Sequence, residues 1–409
     1  MSKFTRDKYN PLMQVQKWAY RCSKCSLCKY IHVYQGQYED PRFVDLCPSG
    51  KRWRFEAYYA SGKQDIARGL LTDQLEYTDT LLHALYTCTE CGGCMSVCAP
   101  YSGKDPLKTI TALRERAVLD GVAPLPEHEP LFKSLENYGN PWQEPKTARK
   151  RWAKDLKGRR VVPGKTETLF YVGCTFALDR SLQEGPVALA HLMELAGEDY
   201  GLLLEDEVCC GSTVKRVGNS KLFEKLRKEN EKRLRETGAK RIVTACSGCY
   251  KTLKQDYPGL GRDVEILHST EYLSRLLTSG RLKLKNTPIK ATYHDPCHLG
   301  RHTEVYDPPR KILESIPGLK LTEMKNTREK SRCCGGGAGV KTAYPEISMK
   351  AAVRRIVEAE KTGADVLVTT CPFCVQTLRT AAQSMGSRME VLELSVLLDR
   401  AAVDEGGAR

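Results

Sequence analysis

Eighteen cysteines fall into three runs, and their spacing carries the chemistry of the chain. Cys22, Cys25 and Cys28 stand at three-residue steps. Cys88, Cys91 and Cys94 do the same, with Cys98 four residues further on. Three thiols at i, i+3 and i+6 let one turn of backbone wrap three corners of an iron–sulfur cube. Four-cysteine zinc sites also use Cys-x-x-Cys, but rarely need a third cysteine at the same step. The later runs read differently, as a lone cysteine, an adjacent pair and a Cys-x-x-Cys. One set is Cys174, Cys209, Cys210, Cys246 and Cys249. The other is Cys297, Cys333, Cys334, Cys371 and Cys374. Intervals of 34 and 35 residues in the first set become 35 and 36 in the second. Neighbouring cysteines hold two adjacent metals more easily than one, so five thiols suit an open or fused cluster. A four-cysteine zinc or cubane site with a spare thiol is the alternative.

The run Cys88–Cys98 has the spacing of bacterial ferredoxins, with the proline displaced by one residue to Pro100. In two-cluster ferredoxins the fourth cysteine of each run serves the other cluster. Cys22, Cys25, Cys28 and Cys98 are therefore assigned to one cubane 4Fe–4S cluster, and Cys88, Cys91, Cys94 and Cys47 to a second. Cys47 is the least secure of these, because 18 residues containing Tyr30, Tyr34 and Tyr38 separate it from Cys28. That insertion is a candidate docking surface.

The elements that must hold these thiols divide the chain. Residues 51–87 read as helix, with apolar Leu81, Leu82 and Leu85, and resemble the α-helical ferredoxin modules of respiratory iron–sulfur subunits. Residues 121–166 contain Pro124, Pro126, Pro130, Pro141 and Pro145 and the basic stretch Lys146–Arg160, a composition typical of a linker. From Thr168 short strands alternate with helices, which implies parallel sheets with ligands at the strand carboxyl ends. Expected strands are Thr168–Val172, Tyr200–Leu204, Arg241–Ala245, Ile289–Tyr293, Lys320–Glu323 and Val366–Thr370. Expected helices are Pro186–Ala196, Leu222–Glu236, Pro309–Ile316 and Ile347–Lys361. Thr237-Gly238-Ala239 before Cys246 matches Thr362-Gly363-Ala364 before Cys371, and glycine past a helix end permits the left-handed turn into a strand. The fold class is mixed α and α/β: an α-helical ferredoxin-like domain with two clusters (1–120), a linker (121–166) and two duplicated α/β domains (167–285 and 286–409) related by pseudo-two-fold symmetry. Gly211 and Gly335–Gly337 are expected where backbone closely approaches sulfide or substrate.

The 409 residues carry a formal charge of +14. Lys and Arg are scattered rather than striped, there is no His/Cys finger, and no aromatic platform suits a single strand, so nucleic acid is excluded. Two oxidised cubes with thiolate ligands lower the formal charge to about +10, leaving a basic face for an acidic partner protein. Clustered Cys-x-x-Cys without an apolar signal core points away from disulfides and toward the cytoplasm. No apolar run is long enough to span a bilayer. No Gly-x-Gly-x-x-Gly follows a strand, so neither flavin nor nicotinamide is expected on this chain.

Tyr293–Arg301 (YHDPCHLGR), Cys333–Val340 (CCGGGAGV) and Cys371–Cys374 (CPFC) resemble the duplicated cysteine-rich CCG domain. The span from Cys22 to Cys374 is similar to the catalytic subunit of heterodisulfide reductase in its fused form. The resemblance implies that each five-cysteine set binds a noncubane 4Fe–4S cluster, the two facing each other across a substrate cleft. It further implies an iron–sulfur oxidoreductase that reduces a small-molecule disulfide within a complex, fed by a flavoprotein or haem-bearing subunit and peripheral to the membrane only through such partners. His294 and His298, near Cys297 together with His302, are candidate proton donors. Lys215 and Arg216 are candidate anchors for a substrate carboxylate or phosphate. The alternative is a pure electron-transfer subunit of a flavin-based electron-bifurcating or quinone-linked dehydrogenase complex, for example one feeding an aromatic acyl-CoA reductase.

Overall fold

The computed structural model describes residues 9–30, 44–103, 105–154, 156, 159–161, 166–261 and 263–404. Residues 31–43, most of the insertion before Cys47 with its Tyr34 and Tyr38, lie outside them. The described residues form two compact units that interleave along the sequence: 1–129 with 213–223 and 326–355, and 130–212 with 224–325 and 356–409.

The first unit is helical. Helix Pro11–Tyr20 starts where the Asn10 side chain accepts from Leu12 N at 3.0 Å, with proline in the first turn. Helix Pro106–Leu119 starts the same way, with Asp105 accepting from Leu107 N at 3.0 Å. Each cap satisfies a backbone N–H that the helix cannot. These two helices and Ala60–Leu71 pack on one another; Leu12, Ala19, Ala67, Leu70, Leu113 and Ala117 are among their buried residues. Helix Asp79–Tyr86, capped by Thr78, delivers the chain into Cys88. Buried Arg114 explains why segments distant in sequence belong here. Its guanidinium donates to the carbonyls of Leu85 (3.0 Å), Cys88 (2.6 Å), Arg216 (2.9 Å) and Ala338 (3.2 Å).

The second unit holds two parallel sheets. Strands β1 (Arg159–Arg160), β2 (Thr168–Phe170), β3 (Tyr200–Leu202), β4 (Arg241–Thr244) and β5 (Glu265–His268) form one, in the order β1-β3-β2-β4-β5. Strands β6 (Lys290–Tyr293), β7 (Lys320–Leu321), β8 (Val366–Thr369) and β9 (Glu390–Glu393) form the other, in the order β7-β6-β8-β9. Without β1 the two orders are the same, so the duplication read in the sequence is a duplication of topology. The register repeats as well, with Thr244 opposite His268 and Thr369 opposite Glu393. Helix Glu184–Leu195 of the first repeat packs on Leu394–Ala401 of the second, and Ser269–Thr278 of the first on Asp307–Ser315 of the second. These are reciprocal contacts between equivalent helices, the arrangement that a pseudo-two-fold axis produces.

The Pro- and charge-rich stretch expected to be a linker is built into this unit over part of its length. Trp152 is buried and meets the Phe170 ring edge-on at 5.8 Å. Arg149 is buried and pairs with Glu207 at 2.9 Å, and β1 extends the first sheet. A 3-10 segment (Lys146–Ala153) places these side chains inward without the 3.6-residue period that marks a helix.

Candidate metal centres

Cys22, Cys25, Cys28 and Cys98 line one cavity of about 280 Å3, together with Trp18, Gln64 and Pro106. Positive φ at Lys24 (54°) and Ser26 (65°) coils the chain around it. Cys28 Sγ hydrogen-bonds Ser61 Oγ at 3.6 Å, and burial pushes the Cys28 thiol up. Cys25 is the exposed corner of the four.

Cys47, Cys88, Cys91 and Cys94 line a second, tighter cavity. Cys47 sits at the N-cap of helix Pro48–Trp53, where its Sγ accepts from Gly50 N at 3.4 Å. Burial pushes the Cys47 thiol up to about 12 and holds the Cys94 thiol well above its ordinary value. Thiolates are therefore disfavoured here unless something cationic compensates them, and bound iron does so by deprotonating its ligands outright. Lys63 is buried in the wall of this cavity, with Nζ donating to Tyr58 O at 2.8 Å and Ala57 O at 3.2 Å. In both cavities the fourth cysteine comes from outside the three-residue run.

The first five-cysteine set gathers at the carboxyl ends of β2 and β4. Cys174 opens helix Cys174–Leu178, and Cys246 is the N-cap of helix Ser247–Asp256. Cys174 Sγ lies 3.8 Å from Cys209 Sγ, and Gly211 N donates to Cys209 Sγ at 3.4 Å. Sulfur hydrogen bonds from Cys209 first, then from Cys249, hold the Cys210 thiol below its ordinary value. A site that stabilises one thiolate among buried thiols suits a metal cluster. Gly173, at φ 81°, is required: a Cβ there would lie 3.1 Å from Cys249 Sγ. Glu207 secures this turn by accepting from Val172 N (2.8 Å) and Gly173 N (2.9 Å) while paired with Arg149.

The second set is divided between the units. Cys297, Cys371 and Cys374 belong with the sheets. The neighbouring sulfurs of Cys246 first, then Cys374, hold the Cys371 thiol well below its ordinary value. His294 is buried, and a ring nitrogen lies within 4.8 Å of Cys374 Sγ. His298, from the second repeat, reaches the first: its Nδ1 lies 3.7 Å from where a Cβ on Gly248 would stand, between Cys246 and Cys249. Its ring meets that of His302 edge-on at 4.7 Å.

Cys333 and Cys334 belong with the helical unit, where Cys333 Sγ hydrogen-bonds Thr89 Oγ1 at 3.5 Å. Thr89 lies in the turn between Cys88 and Cys91. Two of the glycines after Cys334 are needed for packing within the protein. A Cβ on Gly335 would stand 2.4 Å from Ser348 O, and one on Gly337 2.8 Å from Thr89 O. Gly335 and Gly337 thus let the loop pack against protein backbone. Lys215 and Arg216 also lie in this unit. Lys215 Nζ sits 4.9 Å from the Phe223 ring centroid, and Arg216 is buried with its carbonyl taking Arg114.

Sequence reasoning missed His268, Glu393, Lys63 and Arg114. His268 ends β5, fully buried, and burial pulls its pKa down to about 4, with Cys371 among the neighbours opposing that shift. Glu393 is its counterpart at the end of β9. Aligning the two repeats beyond their last cysteines would have exposed both positions.

The cysteine-rich domain family matches residues 168–254 and again 291–379, and the 4Fe-4S dicluster domain family matches residues 17–100. One chain of the dihydromethanophenazine:CoB--CoM heterodisulfide reductase of Methanosarcina acetivorans is 32% identical over 394 residues, 93% of each sequence. The EtfAB:quinone oxidoreductase of Syntrophomonas wolfei is 33% identical over 305 residues, 71% of this chain and 42% of that one. A solved structure, a hypothetical protein from Helicobacter pylori, superposes with a TM-score of 0.52 at 12% identity, over 75% of this chain and 60% of that one, a likeness of fold alone. Among the described residues no helix is long and apolar enough to cross a membrane. The cofactors are iron–sulfur clusters, and the chain is an iron–sulfur oxidoreductase that transfers electrons. Because the match to the Methanosarcina protein runs almost end to end, through the dicluster domain and both cysteine-rich repeats, the chain belongs to the heterodisulfide reductase family.

Proposed function

We propose that this chain is the disulfide-reducing component of a heterodisulfide reductase-like complex. Cys22, Cys25, Cys28 and Cys98 would hold one cubane cluster, and Cys47, Cys88, Cys91 and Cys94 a second. Cys174, Cys209, Cys210, Cys246 and Cys249 would hold one noncubane cluster, and Cys297, Cys333, Cys334, Cys371 and Cys374 the other. The observation that carries the reading is the contact between the Cys-x-x-Cys turns of the two repeats, where Ser247 Oγ, next to Cys246, donates to the carbonyl of Thr370, next to Cys371, at 2.8 Å. It supports two thiol-rich centres close enough to act on the two sulfurs of one substrate. When bound, the clusters supply single electrons and iron sites for sulfur.

The chain's own groups handle connection and protons. The Cys333–Thr89 hydrogen bond supports a short route from the turn holding the second cubane to the second five-cysteine set. Reducing one disulfide consumes two electrons and two protons, breaks the S–S bond and forms two S–H bonds. His298 is half-buried, with Nδ1 beside Gly248 in the Cys246–Cys249 turn, so it can carry a proton from solvent to a departing thiolate. A flavoprotein or haem-bearing partner would donate the electrons; the names of two relatives pair dihydromethanophenazine with a heterodisulfide and EtfAB with a quinone.

The test is anaerobic purification with native partners, followed by metal analysis and assay with the CoB–CoM heterodisulfide and simpler disulfides. About 16 irons per chain, four per cluster, with disulfide-dependent turnover, are expected. About eight irons with stoichiometric zinc would remove the noncubane assignment. Full iron and rapid electron uptake without turnover of any disulfide would leave electron transfer as the function.

A further inference from the structure

Helix Ala60–Leu71 runs between the two cubane cavities and presents a different residue to each. Ala60 lines both cavities, Gln64 lines the one with Cys22, Cys25, Cys28 and Cys98, and Lys63 lines the other. Consecutive helical residues point about 100° apart, so neighbouring positions reach opposite cavities. The contrast between these two helix residues is one of charge, and Lys24, which also lines the first cavity, is exposed and neutralised by Asp65 at 2.8 Å. Gln64 is neutral and spends its amide on Ala60 O and on Pro106 O at 3.2 Å.

Lys63 is 1% exposed. Tyr58 O and Ala57 O take two of its three donors. Tyr58 O also accepts from Cys47 Sγ at 3.8 Å, so the ammonium and a ligand sulfur share one carbonyl. Among the described residues no carboxylate pairs with Lys63; the nearby Glu90 lies instead 3.7 Å from Arg114. A buried ammonium without a protein counter-ion needs an anion beside it, and a thiolate-ligated cluster is that anion.

We propose that Lys63 is a fixed positive charge that raises the reduction potential of the cluster on Cys47, Cys88, Cys91 and Cys94 above that of the cluster on Cys22, Cys25, Cys28 and Cys98. This rests on the ligand sets proposed above. An added electron makes the cluster more anionic, and a neighbouring cation in a water-poor wall stabilises that state more than the oxidised one. The other cluster has Gln64 beside it and an exposed corner at Cys25, where water screens charge. An electron arriving at the exposed cluster then moves downhill to the buried one, toward Thr89 and Cys333.

The experiment is a redox titration followed by electron paramagnetic resonance on the iron-loaded full chain, comparing the parent with Lys63→Gln, Lys63→Arg and Cys25→Ser. Cys25→Ser identifies the signal of the exposed cluster. In the parent, the cubane signal that Cys25→Ser leaves intact should be reduced at the higher potential. Lys63→Gln should shift its reduced-to-oxidised ratio at least tenfold toward oxidised at fixed potential, about 59 mV for one electron, and leave the other midpoint in place. Lys63→Arg should stay near the parent. An unchanged midpoint in Lys63→Gln, or an equal shift of both clusters, overturns the proposal. Should Lys63→Gln fail to load the cluster, the order of midpoints in the parent decides, and a higher potential at the exposed cluster overturns it. Loss of both cubane signals in Cys25→Ser would mean that the ligand sets are wrong, which sinks that reading and this inference with it.

Discussion

Cys246 and Cys371, the strand-end cysteines at equivalent positions of the two repeats, lie close enough that each shifts the ionisation of the other's thiol. Ser247 Oγ reinforces the junction by donating to Thr370 O at 2.8 Å. Each repeat therefore offers its Cys-x-x-Cys turn to the other near the pseudo-two-fold axis. The reciprocal helix pairs, Glu184–Leu195 with Leu394–Ala401 and Ser269–Thr278 with Asp307–Ser315, hold the turns there from behind. Duplication of a domain with one thiol cluster thus produces a pair of thiol clusters, as the proposed chemistry on two bonded sulfurs requires.

Arg114→Met should destabilise the helical unit more than any surface change. Four backbone carbonyls lose a donor, among them those of Leu85 and Cys88, and Glu90 loses the cation 3.7 Å away. Breaking a buried charged network costs about 3–5 kcal/mol. Thermal unfolding of the iron-loaded protein should show a large drop, with preferential loss of the cluster on Cys88. Arg114→Lys should recover little, because one ammonium cannot span four carbonyls. Parent-like unfolding of Arg114→Met would contradict this role.

This residue also shows where the sequence stops being legible. The cysteine spacing, the duplication and the positions of β2, β4, β6 and β8 are readable because each carries a period or a motif. Arg114 looks like any arginine on a helix, since backbone carbonyls are its partners and these leave no trace in residue type. The same holds for the assignment of 213–223 and 326–355 to the helical unit. Strands β5 and β9 escape a pattern search because four residues with a charged first position, Glu265–His268 and Glu390–Glu393, carry little period. Buried Arg149 and Trp152 are hidden by a basic, Pro-flanked stretch whose composition resembles a linker.

Gly337→Ala should disturb the contact between the Cys88–Cys91 turn and Cys333. Its Cβ would stand 2.8 Å from Thr89 O, a backbone atom that moves only with the Cys88–Cys91 turn. Forcing a methyl group into a packed contact costs about 1–3 kcal/mol. The expected result is slower electron arrival at the five-cysteine sets in rapid-mixing experiments, with both cubanes still loaded. Gly386→Ala is the control for a backbone effect, because its positive φ of 65° faces open space. Equal rates in the parent and Gly337→Ala would show that this approach is irrelevant to electron flow.

Glu393 should make stability fall with rising pH. Burial raises its pKa from 4.5 to about 8. Between those values the folded chain keeps a proton that the unfolded chain has released, so stability is fullest below about 4.5 and declines up to about 8. Glu393→Gln removes the titration and retains an acceptor for Ser395 N, now bonded at 2.6 Å. The variant should be more stable than the parent by about 4 kcal/mol at pH 8 and by under about 1 kcal/mol at pH 5. Anaerobic unfolding at both pH values measures the difference, and a gap that is constant with pH would rule out the buried acid as its source.

His298→Ala should lower turnover without weakening substrate binding. The second repeat supplies this side chain, yet its Nδ1 lies beside Gly248 in the first repeat's Cys246–Cys249 turn, 3.7 Å from where a Cβ would be. It is half-buried and so connected to solvent, unlike His294 and His268, which are buried. Of these three histidines it is the one able to exchange protons with water and still face ligand sulfurs. A group that protonates a departing thiolate acts in the transition state, so its loss should reduce kcat and kcat/KM together. Removal of a general acid typically costs about 10²- to 10⁴-fold, and an acidic disulfide whose thiolates leave readily should suffer least. His302→Ala, which removes the ring packed edge-on at 4.7 Å, should have a smaller effect through the orientation of His298. Steady-state kinetics across disulfides of graded leaving-group acidity separates the cases. Full turnover of His298→Ala with the most basic leaving group would end the proton-donor role, and a rise in KM alone would make His298 a binding residue instead.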